Sequence, residues 1–209
     1  MLLLNVPYAE KDEAKKLGAS WIPEYKKWSV FLAKDYHKFD KWIPHEQGDV
    51  IICDYIFLII GEKRCFKCGK TTKVVGVGID KYITIEKNHS YVYHKEDIHI
   101  SPIFENLPHT IYQYLNLNYK VKYGYSNYVQ ASYWGNYCHN CGALQGNFFV
   151  FNEFDSPFFI DSDDSEGKIS KLQFYKIKLP FDVICKPEII YSSSDRLLSL
   201  YGNFQEIQI

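Results

Sequence analysis

The chain opens on a pattern of apolar and polar positions that changes period repeatedly within fifty residues. Leu2-Leu3-Leu4-Asn5-Val6 is strand-like, and Pro7 stops it. Residues 9–17 read as a short helix, with Glu10, Asp12 and Glu13 early and Lys15 and Lys16 late. That order complements the helix dipole, and Gly18 stands where a helix-ending glycine belongs. Residues 21–30 read as a hairpin with Pro23-Glu24 at its turn. Asp35 is the expected N-cap of a second helix through Trp42, and Pro44 ends the segment. Trp21, Trp28 and Trp42 are expected in the core, because a very small unit needs large aromatic side chains. A base-stacking role for one of them is the alternative.

From Asp49 the texture shifts to runs of Ile, Val and Tyr. Residues 50–60 fit one long buried strand, a pair of strands or a buried helix, which periodicity alone does not separate. Residues 73–79 read as a strand, with Gly76 and Gly78 as candidate bulge positions. Residues 82–86 and 90–93 read as a hairpin around Lys87-Asn88-His89. Residues 108–117 carry the clearest helical stripe, through Ile111, Tyr112 and Leu115. Strands are expected at 120–123 and 171–179, and a last helix from Ser194-Asp195 to Tyr201, stopped by Gly202.

Composition adds three constraints. Aromatic residues make up 17% of the 209, and with abundant Val and Ile they favour strands. No uncharged apolar run nears the roughly 20 residues of a membrane helix, since Asp54 interrupts the longest candidate at residues 50–60. Met1-Leu2-Leu3-Leu4 lacks the basic start and cleavage site of a signal peptide, so a reducing, cytoplasmic setting without membrane contact is expected. The net charge of −1 divides unevenly: residues 1–150 carry a surplus of three basic side chains and residues 151–209 a surplus of four acidic ones. Dedicated duplex-DNA binders are usually far more basic, so strong nonspecific DNA binding is not expected.

The candidate chemistry lies in two Cys-x-x-Cys-Gly turns, Cys65-Phe66-Lys67-Cys68-Gly69 and Cys138-His139-Asn140-Cys141-Gly142. Two thiolates from one tight turn reach a common tetrahedral ion, and the following Gly lets the backbone fold back. Disulfides, a redox motif or two unrelated turns are the competing readings. The first suits secreted chains, and the second occurs once, opening a helix. Sixty-nine residues separate Cys68 from Cys138, against roughly 15–20 in the usual four-cysteine pattern. The extra loop closure costs only about 1–1.5 kcal/mol, whereas structural zinc contributes on the order of 10–16 kcal/mol. One structural Zn²⁺ held by Cys65, Cys68, Cys138 and Cys141 is therefore expected, with no ligand position left for a catalytic water.

Two resemblances accompany these residues. Leu4-Asn5-Val6-Pro7-Tyr8, Glu10-Lys11-Asp12-Glu13-Ala14-Lys15, Leu17-Gly18-Ala19 and residues 21–28 resemble a small domain of unknown function appended to conjugative-plasmid primases and other mobile-element proteins. The resemblance implies a bacterial mobile-element or DNA-metabolism setting and brings no catalytic residues. Residues 65–72 with 138–149 resemble uncharacterised bacterial zinc-ribbon proteins, in which the second knuckle runs through Gln-Gly into a hydrophobic strand. This implies zinc at the four cysteines and nothing about a substrate.

Other candidates are weaker. His89, His94 and His99 recur every five residues, which is neither a helix nor a strand period, so a second metal site there competes with solvated histidines. Cys53 and Cys185 sit among apolar neighbours and are expected to be buried. The acidic run at 161–167 fails the calcium-loop pattern, because Glu166 and Leu172 stand where Gly and Glu are needed. No phosphate-binding loop, dinucleotide fingerprint or nucleophile motif is present, which lowers the expectation of an enzyme.

The combined expectation is an α+β, strand-rich protein. It comprises a small N-terminal β-α-β-hairpin domain at 1–46, a zinc-ribbon domain at 47–151 carrying a long folded insert at 69–137, and a C-terminal strand and helix extension at 152–209 docked on the zinc domain. The expected function is a zinc-binding, non-catalytic recognition protein for nucleic acid, including single strands, or for a nucleic-acid enzyme. The alternative is a protein-interaction factor, such as an immunity, anti-defence or regulatory protein, with a purely structural zinc.

Overall fold

In a computed structural model that describes residues 1–160, 165–189, 192 and 194–209, the chain is a mixed α+β protein dominated by strands. Strand β1 (Leu2–Leu4) turns Leu2 and Leu4 inward, both 1% exposed. A 3₁₀ turn at Tyr8–Glu10 leads into α1 (Lys11–Lys16). The end of α1 is locked by the glycine: Ala19 N donates to Ala14 O and Gly18 N to Lys15 O, each at 3.0 Å, with Gly18 at φ +103°. Strands β2 (Ser20–Ile22) and β3 (Lys27–Val30) pair antiparallel, and β1 pairs with the other edge of β3.

Residues Ala33–Trp42 form a 3₁₀ segment rather than an α-helix, and Asp35 does not cap it; its carboxylate pairs instead with Lys38 at 2.6 Å. The spacing explains the conformation. Tyr36, Phe39 and Trp42 recur every three residues, matching the three-residue turn, so all three fall on one buried face. The tryptophans divide: Trp42 is buried and Trp28 half-buried, but Trp21 is 49% exposed and packs edge-on against Trp28 at 5.9 Å, so it is not a core residue.

Strands β4 (Val50–Ile52) and β5 (Tyr55–Arg64) are separated at Cys53-Asp54, where Asp54 adopts φ +64°. Next come β6 (Thr71–Ile85), β7 (Tyr91–Ser101), α2 (His109–Tyr119), β8 (Val121–Ser126) and β9 (Ala131–Asn136). The chain continues through α3 (Asn147–Phe151), α4 (Ser165–Ile169), β10 (Gln173–Lys178), β11 (Val183–Cys185), α5 (Asp195–Tyr201) and β12 (Phe204–Ile207). Gly76 and Gly78 are not bulges, because β5 and β6 stay in unbroken register from Phe57 opposite Gly78 to Arg64 opposite Thr71. They admit close neighbours instead: a Cβ on Gly76 would lie 3.0 Å from Ile100 and Phe151, and one on Gly78 2.8 Å from Ile98. The segment after the second cysteine pair, expected as a strand, is the short helix α3. Of the acidic run at 161–167, Asp161, Ser162, Asp163 and Asp164 lie outside the described residues.

These elements gather into two compact units, each drawn from three stretches of chain. The first comprises Met1–Tyr55, Lys81–Lys95 and Leu179–Lys186. Its core joins Leu2, Leu4, Tyr36, Phe39 and Trp42 to Ile51, Cys53, Ile83 and Ile184. Strand β4 is central there, with β11 on one side and the end of β6 on the other. One buried carboxylate, Asp182, is satisfied within this unit, accepting from the Tyr36 hydroxyl and from Asp54 N at 3.0 Å. Cys53 and Cys185 are both buried.

The second unit comprises Ile56–Asp80, Glu96–Lys178 and Pro187–Ile209. Strand β5 lies between β6 and β10, which is why its residues from Ile56 to Ile60 are all buried instead of alternating. Phe57 and Phe174 each pack against Phe204 with ring centroids 5.1 Å apart. Helix α2 buries Ile111, Leu115 and Tyr119, and its Tyr112 stacks on Trp134 of β9 at 4.0 Å.

Candidate metal centre

The two cysteine turns have the same backbone. In the first, which joins β5 to β6, Cys65 N donates to Lys70 O (3.0 Å) and Gly69 N to Cys65 O (2.9 Å). In the second, Cys138 N donates to Ala143 O (2.9 Å) and Gly142 N to Cys138 O (3.0 Å). Gly69 and Gly142 adopt φ of +69° and +71°, the left-handed backbone that these turns require and that glycine takes without a Cβ clash.

The turns bring all four sulfurs together, despite the 69 intervening residues. The four Sγ atoms lie within 4.8 Å of one another, with Cys65 to Cys141 and Cys68 to Cys138 each 3.7 Å. A disulfide needs about 2.05 Å. A tetrahedral ion with Zn–S bonds of about 2.3 Å places its sulfurs about 3.8 Å apart. The cluster therefore has the dimensions of a four-thiolate site and not of two disulfides.

Its charge distribution is uneven. Burial alone pushes the Cys138 thiol up, but backbone N–H groups of Cys141 and Asn140 and the adjoining thiols outweigh it and bring the group down to about 6. Burial acts the same way on Cys65, and N–H donors from Cys68 and Lys67 again win, holding it below the ordinary thiol value. For Cys141 the Ala143 N–H favours the thiolate, but burial and the three neighbouring sulfurs together raise it to about 11. Several thiolates packed this closely oppose one another, and a divalent cation among them removes that opposition.

Polar side chains that sequence reasoning missed fasten the two turns together. Asn136, 2% exposed, accepts from Val75 N (2.7 Å) and donates to Val75 O (3.0 Å), a two-point clamp between the approach to the second turn and β6. Thr72 Oγ1 accepts from His139 N (3.0 Å) and lies 3.1 Å from the His139 ring, so this histidine is engaged beside the thiols and is not one of the four donors. Asn140 donates to Thr71 O (3.1 Å), Lys120 to His139 O (2.9 Å), and Gln145 Nε2 to Cys65 Sγ (3.4 Å). A donor aimed at sulfur suits a thiolate. Isolated Asn, Thr and Gln have no sequence period to betray such roles; only the Gln-Gly after the second turn had been marked, and without a function.

Beside this cluster lies a groove of about 590 Å³ lined by Phe66, Tyr128, Tyr133, Leu144, Phe148 and Phe149 among others. Phe66 is 73% exposed, Phe148 62% and Tyr128 88%. Lys67, Lys70 and Lys73 are also exposed on or just after the first turn, while Lys63 and Arg64 are tied to Phe149 O (2.5 Å) and Gly69 O (2.9 Å).

The histidines marked by five-residue spacing do not meet. His94 stacks on Tyr82 at 4.6 Å with Thr84 Oγ1 3.0 Å away, and His99 is buried with Nδ1 2.7 Å from Asp195. No described helix is long and apolar enough to cross a membrane.

Residues 1–44 match a family described as a domain of unknown function, DUF5710. Over 39 residues the chain is 51% identical to the DNA primase TraC of Escherichia coli. That stretch is 19% of this chain and 3% of the primase, so the chain spans only a small fraction of the curated relative it matches. No solved structure matches.

Proposed function

We propose that this protein is a zinc-stabilised, non-catalytic recognition module of mobile-element DNA metabolism, and that it binds single-stranded nucleic acid. One structural Zn²⁺ joins the turns at Cys65, Cys68, Cys138 and Cys141 in a zinc-ribbon arrangement, and all four of its positions are taken by sulfur. The observation that carries the binding reading is the groove beside the thiols, where the exposed rings of Phe66, Tyr128 and Phe148 adjoin a turn bearing Lys67 and Lys70. Exposed aromatic faces stack on bases of any sequence, and lysines neutralise the passing phosphates. The near-zero net charge is compatible with this, since stacking rather than a strong positive field supplies much of the affinity. The primase-like N-terminal segment supports the setting without supplying the chemistry.

Fluorescence anisotropy with labelled single-stranded oligonucleotides at low salt tests the reading. Phe66→Ala and Phe148→Ala are each expected to weaken binding by about 1–3 kcal/mol while leaving metal content unchanged. Lys67→Ala should lower the salt slope by about one. Absence of binding at low salt, together with one stoichiometric protein partner recovered from a native lysate, would overturn it in favour of a protein-interaction factor.

A further inference from the structure

We infer that the first unit holds a second metal site, made of Asp40, His45 and His89 and built for a divalent first-row transition ion. The three residues come from separate places: Asp40 from the 3₁₀ segment, His45 from the turn after Pro44, and His89 from the tip between β6 and β7. Their ligand atoms lie within 4.8 Å of one another. His89 Nδ1 is 2.8 Å from one Asp40 carboxylate oxygen and His45 Nε2 3.1 Å from the other. The two imidazoles meet edge to face, with centroids 5.7 Å apart.

Two imidazole nitrogens and one carboxylate are the donor set that zinc and related first-row ions share, and three protein ligands leave a further position for an exogenous donor. Tetrahedral donors at about 2.0–2.1 Å from such an ion stand about 3.3 Å apart, so the Asp40–imidazole separations of 2.8 and 3.1 Å need to lengthen by only about half an ångström or less. The surroundings also fit. Tyr91 donates its hydroxyl hydrogen bond to Asp40 Oδ1 at 2.5 Å, the kind of outer contact that orients a ligating carboxylate. His45 Nε2 is also 3.0 Å from the Asp40 carbonyl oxygen, a contact that an ion bound at this nitrogen would displace. His89 occupies left-handed backbone at φ +59°, fixed by its own N–H to Glu86 O at 2.8 Å. Histidine is one of the non-glycine residues that tolerate this backbone, and here it carries the ring toward Asp40. His89 lies outside the N-terminal segment of residues 1–44, so the site is not a property of that segment alone.

The site does not depend on the four-cysteine reading, and one titration separates the two. Co²⁺ is added to the metal-stripped, reduced full-length chain and followed by absorption. The cysteine cluster should give intense sulfur-to-metal charge transfer that saturates at one equivalent. A second equivalent should add only weak ligand-field bands, the signature of nitrogen and oxygen donors. His45→Ala/His89→Ala should lose this second equivalent and keep the first. Tyr91→Phe should retain it with affinity lowered roughly 10–100-fold. A single equivalent without charge transfer would sink the cysteine site and leave this one standing. Uptake by the double variant equal to that of the unaltered chain, or charge transfer saturating with no further uptake, would overturn the inference.

Discussion

The two units solve the same problem by different means. The first takes Tyr36, Phe39 and Trp42 from one ten-residue segment and buries them with Leu2 and Leu4 from the neighbouring strand. The second closes part of its structure around four thiols, two of them 69 residues from the others along the chain. Aromatic burial stabilises a small unit whether or not an ion is supplied. A four-thiolate cluster is stabilising only when something neutralises it, because the same proximity that suits a cation sets thiolates against one another.

Breaking the thiol cluster should have the largest effect. Cys138→Ser should abolish the metal at this site, as read by metal analysis, and unfold the second unit, since zinc binding of about 10–16 kcal/mol exceeds or matches the whole stability of a domain. Full folding of the variant without metal would remove the contrast between the units. Next in size, Trp42→Ala should cost about 3–5 kcal/mol in denaturant unfolding of the first unit, with cysteine-bound metal intact. Trp21→Ala, at the exposed position, should stay within about 0.5 kcal/mol.

A smaller effect concerns Tyr36. Losing its hydrogen bond to the Asp182 carboxylate in Tyr36→Phe should cost about 1.5–3 kcal/mol. It also has a pH signature. Burial, then the charge of Asp182, raises the Tyr36 hydroxyl far above its ordinary value, and the same two causes raise the Cys53 thiol. The unfolded chain sheds these protons above about pH 10 and 8.5 respectively, whereas the folded chain keeps them. Stability is therefore present in full below those values and falls as pH rises, by about 1.4 kcal/mol per pH unit for each proton. Tyr36→Phe should remove one proton's worth of that slope above about pH 10, measurable by denaturation at stepped pH. A smaller loss again, though above that of Trp21→Ala, is expected for Gly142→Ala. No atom lies within 4 Å of the added Cβ, so only the left-handed backbone resists, at about 1–2 kcal/mol; thermal unfolding with zinc bound would register it.

What was legible in the sequence was local or chemically marked. The helix ending at Gly18 and the stripe on α2 each depend on a few neighbouring residues, and Cys-x-x-Cys-Gly declares its own turn; residues 50–60 fitted one strand, two strands or a helix, and the structure decided for two strands parted at Cys53-Asp54. The Ala33–Trp42 segment was misjudged because an α-helix and a 3₁₀ helix share polar boundaries, and only the three-residue spacing of its aromatics separates them. Tertiary structure alone decided which elements meet. The first unit is completed by residues 81–95 and 179–186, far from its opening strands. Asn136 finds Val75, and His89 leaves its five-residue series to join Asp40 and His45. Side-chain period and turn chemistry reach only across a few residues, whereas these pairings are set by strand register and the burial of faces contributed by distant segments. The sequence by itself marked four thiols as candidate ligands of a common ion; the fold brought them together and decided which polar groups hold them and where a second set of metal donors could assemble.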